Sequence, residues 1–308
     1  MKQYCAMTVN GPIEGSAMGT TYVHEHLLVK PQSDDMKYRD YTLDDREKSA
    51  RESASFYRAG GRTLVEMTPI HYGRDVRGYR AIARKAHIHV ICTTGFHKEE
   101  FMPNWFGDRS EDDLYEMVRK EILEGIDGTD IRPGVIKFGT SYGTITKLEE
   151  KSIRVAARAH RELNIPISTH CDKGTMGPEQ AKLLKSLGVE LSRVLLCHID
   201  SRMDIDYAMK ICDLGANICI DHVGRELADR DKFRVEMITE LVRAGFAGQV
   251  TLAGDMGKVN YLPAYGGTPG FAYILTDLRE ELLRHIGETD FRRMTVENPA
   301  RIFAVFEA

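Results

Sequence analysis

The chain has 308 residues, 42% hydrophobic and 29% charged, enough apolar content for a sizeable core in one large α/β domain or two ordinary ones. Its formal charge of −4 argues against nucleic acid or an acidic membrane surface as the main partner. The opening MKQYCAMTVNGP lacks the apolar stretch of a signal peptide, and no window approaches a membrane span. Six cysteines, at 5, 92, 171, 197, 212 and 219, stand apart with no CxxC pair and mostly in apolar runs. They read as reduced core cysteines of a cytoplasmic protein.

Along the chain, the first dozen residues read as a small β-hairpin with Asn10-Gly11 as its turn. A short apolar, β-rich run then recurs, each time followed by a polar segment. The runs are TTYVHEHLLV (20–29), RTLVEMT (62–68), HVICTTG (89–95), GVIKFGT (134–140), IPISTHC (165–171), RVLLCHI (193–199), ANICIDHV (216–223) and QVTLAGD (249–255). The segments LEEKSIRVAARAHREL, PEQAKLLKSLG and DKFRVEMITELVRAG between them are apolar every three or four residues, as helices are. Gly188, Gly215 and Gly245 fall where helices should end. Continuous apolar strands alternating with helices imply a parallel sheet covered on both faces. Eight such units predict a (β/α)8 TIM barrel, which typically takes about 250 residues. No GxGxxG opens a helix, which disfavours a dinucleotide-binding sheet. No linker or low-complexity stretch marks a boundary, so residues 1–308 are expected to form a single barrel domain with the hairpin at its bottom.

In such a barrel, chemistry sits at the C-terminal strand ends. His24 and His26 lie one residue apart in the first run, so both rings share one face of that strand. A lone inward histidine is commonly a hydrogen-bonded core residue, but two together must satisfy four ring nitrogens, which a metal ion helps to do. The last inward positions of later strands add Lys137, His170, His198 and Asp255. Each interrupts an apolar run, and buried Lys or Asp is costly without a partner. Four histidines and an aspartate suit zinc or a similar borderline metal. The lysine fits if burial frees its neutral amine, which can add CO2 to give an anionic carbamate. That group can bridge two metals about 3.5–4 Å apart, the spacing of two-metal hydrolytic sites.

The motifs VHEHL, GVIKFGTS, STHCD, LLCHID and LAGDMGK, in this order, resemble the phosphotriesterase family of the amidohydrolase superfamily, in its lactonase-like branch. The resemblance spans the chain, including GRD at 73–75, the TTG of the third run and the ENPARIF tail. It implies an amidohydrolase-type barrel with two divalent metal ions, usually zinc, with manganese, cobalt or iron as alternatives. By position, His24, His26 and Asp255 would hold the more buried ion and His170 and His198 the more exposed one. Lys137, as N6-carboxylysine, and a hydroxide would bridge them, with Asp255 the catalytic base. A homodimer is likewise only what the resemblance suggests.

Family activities include lactone, amide and phosphotriester hydrolysis, so metal ligands leave the substrate open. Trp105 is the only tryptophan, whereas an organophosphate pocket should present aromatic walls. The last two strand-end loops carry Arg225, Lys258 and Tyr261, which suit a phosphate or carboxylate unless they are merely solvated loop charges. Family members with long-chain acyl-homoserine lactone activity tend to carry tyrosine near His97. Asp221 and His222 are candidates for supporting the site, and structural roles are expected for Cys171 and Cys197. The expected function is hydrolysis of lactones, including phosphorylated sugar lactones, on a small-molecule substrate. The alternatives are an N-acyl amide hydrolase or phosphotriesterase on the same centre. A Schiff-base aldolase using Lys137 would leave the four histidines idle, and a non-catalytic metal binder would not need Asp255.

Overall fold

The computed structural model describes residues 4–32, 36–225 and 228–307. Numbering strands and helices in chain order, β1 (Tyr4–Thr8) and β2 (Gly11–Glu14) make the hairpin, followed by eight parallel strands. These are β3 (Thr21–Glu25), β4 (Thr63–Glu66), β5 (His89–Gly95), β6 (Val135–Thr140), β7 (Ile167–Cys171), β8 (Val194–Cys197), β9 (Asn217–Ile220) and β10 (Val250–Leu252). Each pairs with its neighbours in chain order, and Asp255 N donating to His24 O at 3.1 Å bridges the seam between β10 and β3. One helix follows each strand: α1 (Arg46–Arg58), α2 (Val76–Ala86), α3 (Glu111–Glu124), α4 (Lys147–Leu163), α5 (Gly177–Ser186), α6 (Ile205–Asp213), α7 (Ala228–Arg243) and α8 (Asp277–Arg292). The (β/α)8 barrel expected from the alternating pattern is the fold observed. Every residue of β3, β4, β6, β8, β9 and β10 is buried, which is why these runs show no polar alternation.

Local signals start and stop the helices where the sequence indicates. A capping box of Thr146 and Glu149 opens α4, and Asn164 in the left-handed region closes it. Gly188, Gly215 and Gly245 all have positive φ just beyond helix ends. The strands, however, are shorter than their apolar runs. β3 ends at Glu25, β8 at Cys197 and β10 at Leu252, so His26, His198 and Asp255 lie just past the ladder. His198 and Asp255 have φ of 66° and 45°, a bend that a ladder residue cannot make and that turns both side chains into the barrel mouth.

The hairpin also differs in register. Thr8 pairs with Gly11, so the loop is Val9-Asn10 and Gly11, at φ 108°, begins the second strand. Thr8 Oγ1 donates to Gly11 O (2.6 Å) and accepts from Asn10 N (3.2 Å), which stabilises that shorter turn. Val9 N donates to Val90 O (2.8 Å), pinning the hairpin to the start of β5 at the barrel bottom. The tail forms α9 (Asn298–Phe303) and then β11 (Phe306–Glu307), which adds to the free edge of β1 and was not expected from sequence. Among the described residues, no helix is long and apolar enough to cross a membrane.

Candidate metal centre

At the C-terminal mouth, a cavity of about 550 Å³ has His24, His26, Lys137, His170, His198 and Asp255 in its walls. All six expected residues are therefore brought together. The His24 ring lies 4.9 Å from that of His198, and the His198 ring 4.4 Å from that of His170. Asp255 Oδ1 stands 3.6 Å from His24 Nε2 and 3.2 Å from His26 Nε2.

Hydrogen bonds set which ring nitrogens face inward. Thr68 Oγ1 donates to Glu66 Oε1 (2.6 Å), so it accepts from His26 Nδ1 at 2.8 Å, which leaves Nε2 facing the cavity, 3.2 Å from Asp255 Oδ1. His198 Nδ1 is 3.0 Å from Asp221 Oδ1, so its Nε2 is the free nitrogen. Both nitrogens of His24 and Nε2 of His170 are buried with no hydrogen-bond partner among the described residues. Burial, with the nearby Lys137 charge, pulls His24 well below the ordinary histidine range, and burial with the His198 ring does the same to His170. Neutral, buried imidazoles with orphaned nitrogens are what a cation would satisfy, so the donor set fits a metal. The groups His24–His198–Asp255, His24–Cys197–Asp221 and His198–Asp221–His222 each bring three donor atoms close enough to hold one ion.

Lys137 is buried and donates one hydrogen bond, to Met67 O at 2.9 Å. Burial pulls its ammonium below the usual lysine range, so a neutral amine is accessible there. Gly95 makes this corner: at φ 91° any Cβ would sit 2.1 Å from Lys137 O, so only glycine lets β5 approach β6 there. Burial pushes Asp255 upward, but the Arg225 guanidinium and the His222 and His26 rings outweigh it and hold the carboxyl well below the usual carboxylate range.

Glu25 and Ser201 were not singled out by the sequence reading, whereas Asp221 and His222, expected to support the site, are found doing so. Glu25, buried in β3, accepts Gly254 N (2.6 Å) and Met256 N (2.9 Å), clamping the loop that carries Asp255. Its signal was a carboxylate inside an apolar strand. Glu25→Ala leaves two buried amides unpaired, each worth about 1–3 kcal/mol, and is expected to destabilise the protein by roughly 2–6 kcal/mol in denaturant unfolding; a midpoint unchanged from wild type would contradict this role. Asp221 accepts His198 N at 3.0 Å as well as Nδ1, and the His222 ring stacks on that of His198 at 4.9 Å. Ser201 Oγ lies 2.5 Å from His222 Nδ1, with His222 Nε2 3.6 Å from Asp255 Oδ2.

The cavity rim is cationic and aromatic together. Lys98, Lys173, Arg225 and Arg230 line it, as do Tyr38, Tyr41, Tyr72 and Phe101. Arg225 Nη1 donates to Asp255 Oδ2, and Lys98 is paired with Asp172 (2.8 Å) and Glu100 (3.0 Å). The expectation of a site without aromatic walls was therefore incomplete. Trp105 packs against Phe96 away from the cavity, while Tyr38 and Tyr41 from one segment and Tyr72 from another form the wall. Lys258 and Tyr261 stand behind it. The turn Val259–Tyr261 sets Lys258 Nζ 4.3 Å above the Tyr41 ring and the Tyr261 ring 5.0 Å from the Arg225 guanidinium, so both back cavity residues instead of lining it. His97 does reach the cavity, its ring 4.6 Å from that of His170. Cys171 and Cys197 are buried, Cys197 Sγ lying 3.4 Å from Ser168 Oγ.

A (β/α)8 barrel whose strand ends deliver histidines, carboxylates and a buried lysine into one mouth defines a hydrolase of the metal-dependent class. More narrowly, the chain belongs to the phosphotriesterase family, whose model matches residues 5–303. Enzymes of this family use a binuclear metal centre. The chain is 31% identical to a phospho-furanose lactonase of Mycoplasmopsis synoviae over 332 residues, covering 100% of this chain and 94% of that protein. Among solved structures, a lactonase from Listeria monocytogenes superposes with TM-score 0.93 at 31% identity, covering 98% of this chain and 100% of the other. The phosphotriesterase homology protein of Escherichia coli, crystallised with phosphate in its active site, superposes with TM-score 0.89 at 35% identity, covering 93% and 99%.

Proposed function

We propose that the protein is a two-metal lactonase whose substrates are phosphorylated sugar lactones. The observation that carries the substrate class is the lining: four cationic side chains, Lys98, Lys173, Arg225 and Arg230, share the cavity with the histidine cluster, Lys98 and Arg225 held there by the carboxylates of Glu100, Asp172 and Asp255. A phosphate at one end of a lactone matches those cations while the carbonyl reaches the histidines. The lactonases among its relatives, one of them named for phospho-furanose substrates, support the same reading.

In this reading His24, His26 and Asp255 would hold one metal ion and His170 and His198 the other. Lys137 would join them once its neutral Nζ has attacked CO2 and lost a proton to give the N6-carboxylate. The metal ions, zinc or another divalent metal, would supply acidity to water and polarise the lactone carbonyl. The chain's own residues do the rest. Asp255 accepts the proton of the attacking water, its Oδ2 held in the cavity by Arg225 and lying 3.6 Å from His222 Nε2. His222, between Asp255 and Ser201, offers that proton a route outward. Tyr72 and Phe101, whose rings lie 5.1 Å apart in the wall, exclude water beside the sugar ring. Six buried, unpaired cysteines support work in a reducing compartment, the cytoplasm, and residues 1–308 acting as one domain belong to the same proposal.

The test is kcat/KM of the zinc- or manganese-loaded enzyme on a γ-lactone with and without a 5-phosphate. A preference of about 10²-fold or more for the phosphorylated substrate is expected, the scale of two or three charge-assisted hydrogen bonds. Turnover of N-acyl amides or phosphotriesters, with neither lactone hydrolysed, would overturn it.

A further inference from the structure

The segment 221–225 after β9 carries three groups of the site: Asp221 on His198, His222 beside Asp255, and Arg225 on Asp255. Its shape is imposed from behind. Asp200, fully buried, accepts Asp221 N (3.4 Å) and His222 N (3.3 Å). Asp231, buried in α7, accepts Gly224 N at 3.1 and 3.2 Å on its two oxygens. One side chain joins the two carboxylates: Arg234 of α7 donates from Nε to Asp200 Oδ2 (2.6 Å) and from Nη1 to Asp231 Oδ1 (2.7 Å). Arg234 is the largest fully buried side chain described, and its Nη2 has no partner among the described residues. Tyr273 OH, from the segment after β10, donates to Asp231 Oδ2 (3.0 Å).

This arrangement is poor design for stability alone. Two carboxylates around one guanidinium leave a net negative charge in a dry interior, and burying ions costs several kcal/mol each. A planar guanidinium does one thing that an apolar plug of the same volume cannot: its rigid fork fixes two carboxylates at a set separation and angle. Because each carboxylate grips backbone amides of segment 221–225, that separation sets where residues 221, 222 and 224 sit relative to α7.

We infer that Arg234 is a positioning residue for the reaction, clamping Asp200 and Asp231 so that segment 221–225 presents His222 and Arg225 to Asp255. The inference rests on the proposed hydrolysis for its kinetic consequence, and on geometry alone for its structural one. Relaxing the clamp frees Arg225 as well as His222, so it lowers kcat and also erodes preference for the phosphate-bearing substrate. Partial unfolding would reduce turnover of both lactones equally and leave that preference untouched.

The experiment compares Arg234→Met, Arg234→Lys and Tyr273→Phe with wild type in the metal-loaded enzyme. Steady-state kinetics on the two lactones are measured beside hydrogen exchange read on peptides covering 194–225 and 250–257. Arg234→Met is expected to lose about 10²-fold in kcat, the scale of misplacing a reacting group by an ångström. Its amides at 221–225 should lose protection while β8 and β10 keep theirs. Arg234→Lys should recover part of both, and Tyr273→Phe, which removes one hydrogen bond, should shift the phosphate preference while Tm falls by no more than a few degrees. Wild-type protection at 221–225 in every folded variant, or a fall in kcat at constant phosphate preference, overturns the inference. Should Arg234→Met not fold, the lysine and phenylalanine variants decide it. If wild type hydrolyses neither lactone, the substrate reading fails, while the exchange data still judge the clamp.

Discussion

Lys137→Ala is expected to lower kcat by more than about 10²-fold, beyond what losing a residue that merely supports a metal ligand costs, and to leave the purified protein short of metal. The lysine is buried with one hydrogen bond, to Met67 O, in a mouth where it shares the cavity wall with the four histidines and Asp255. Nothing in that setting makes it a good structural residue. Deleting its stem opens a cavity worth roughly 2–4 kcal/mol, but it also relieves a buried amine whose unmet hydrogen bonds cost about 1–3 kcal/mol. These nearly cancel, so the metal-free variant should melt within a few degrees of metal-free wild type while activity collapses. Lys137→Glu, which places a carboxylate at that corner directly, should recover metal content ahead of activity. Elemental analysis and melting curves beside the kinetics settle the matter. A Lys137→Ala enzyme with full metal content and wild-type turnover would remove the lysine from the mechanism.

The second large effect is expected at Asp221. Its carboxylate accepts both the backbone amide and Nδ1 of His198, and so fixes the tautomer and direction of that ring. Burial pushes Asp221 upward, but the His198 ring, from which it accepts a hydrogen bond, and the His222 ring outweigh that and hold it below the usual carboxylate range. Asp221→Asn keeps the shape but offers one acceptor where two were used, and its NH2 would face an N–H. Metal affinity and kcat/KM should each fall by about 10–100-fold, the cost seen for partners that orient a metal-binding histidine. Asp221→Ala should be worse, since it also leaves the buried His198 N–H unpaired at about 1–3 kcal/mol. Metal titration followed by calorimetry separates the two effects, and unaltered affinity in Asp221→Asn would show that His198 needs no such support.

Both predictions concern residues that were visible before the fold was known, and for a common reason. A charged or imidazole side chain inside an apolar run has few explanations, and at a barrel strand end it has fewer. His24 and His26 were legible through the two-residue period of a strand, although the strand stops between them, at Glu25. His198 and Asp255 were legible as interruptions, although each sits in a left-handed bend past its strand. The cationic loops were legible only in part. Arg225 reaches the cavity and Lys258 and Tyr261 stop one layer behind it, because the turn at 259–261 folds them onto Tyr41 and Arg225.

By itself the sequence determined the barrel, its eight strand-and-helix units and the six candidate donors at their ends, because each is written in a local pattern: an apolar run, a helical period, a polar residue where none is cheap. It could not show the contacts that give those donors their direction. Glu25 on the loop around Asp255, Asp221 on His198, Arg234 between Asp200 and Asp231, and β11 against β1 each join residues far apart in the chain. Such pairings leave no periodic trace, since each is a single hydrogen bond or ion pair whose partner is chosen by the closed barrel. The tyrosine wall was hidden for the same reason: Tyr38, Tyr41 and Tyr72 come from loops whose path only the packed helices and strands decide.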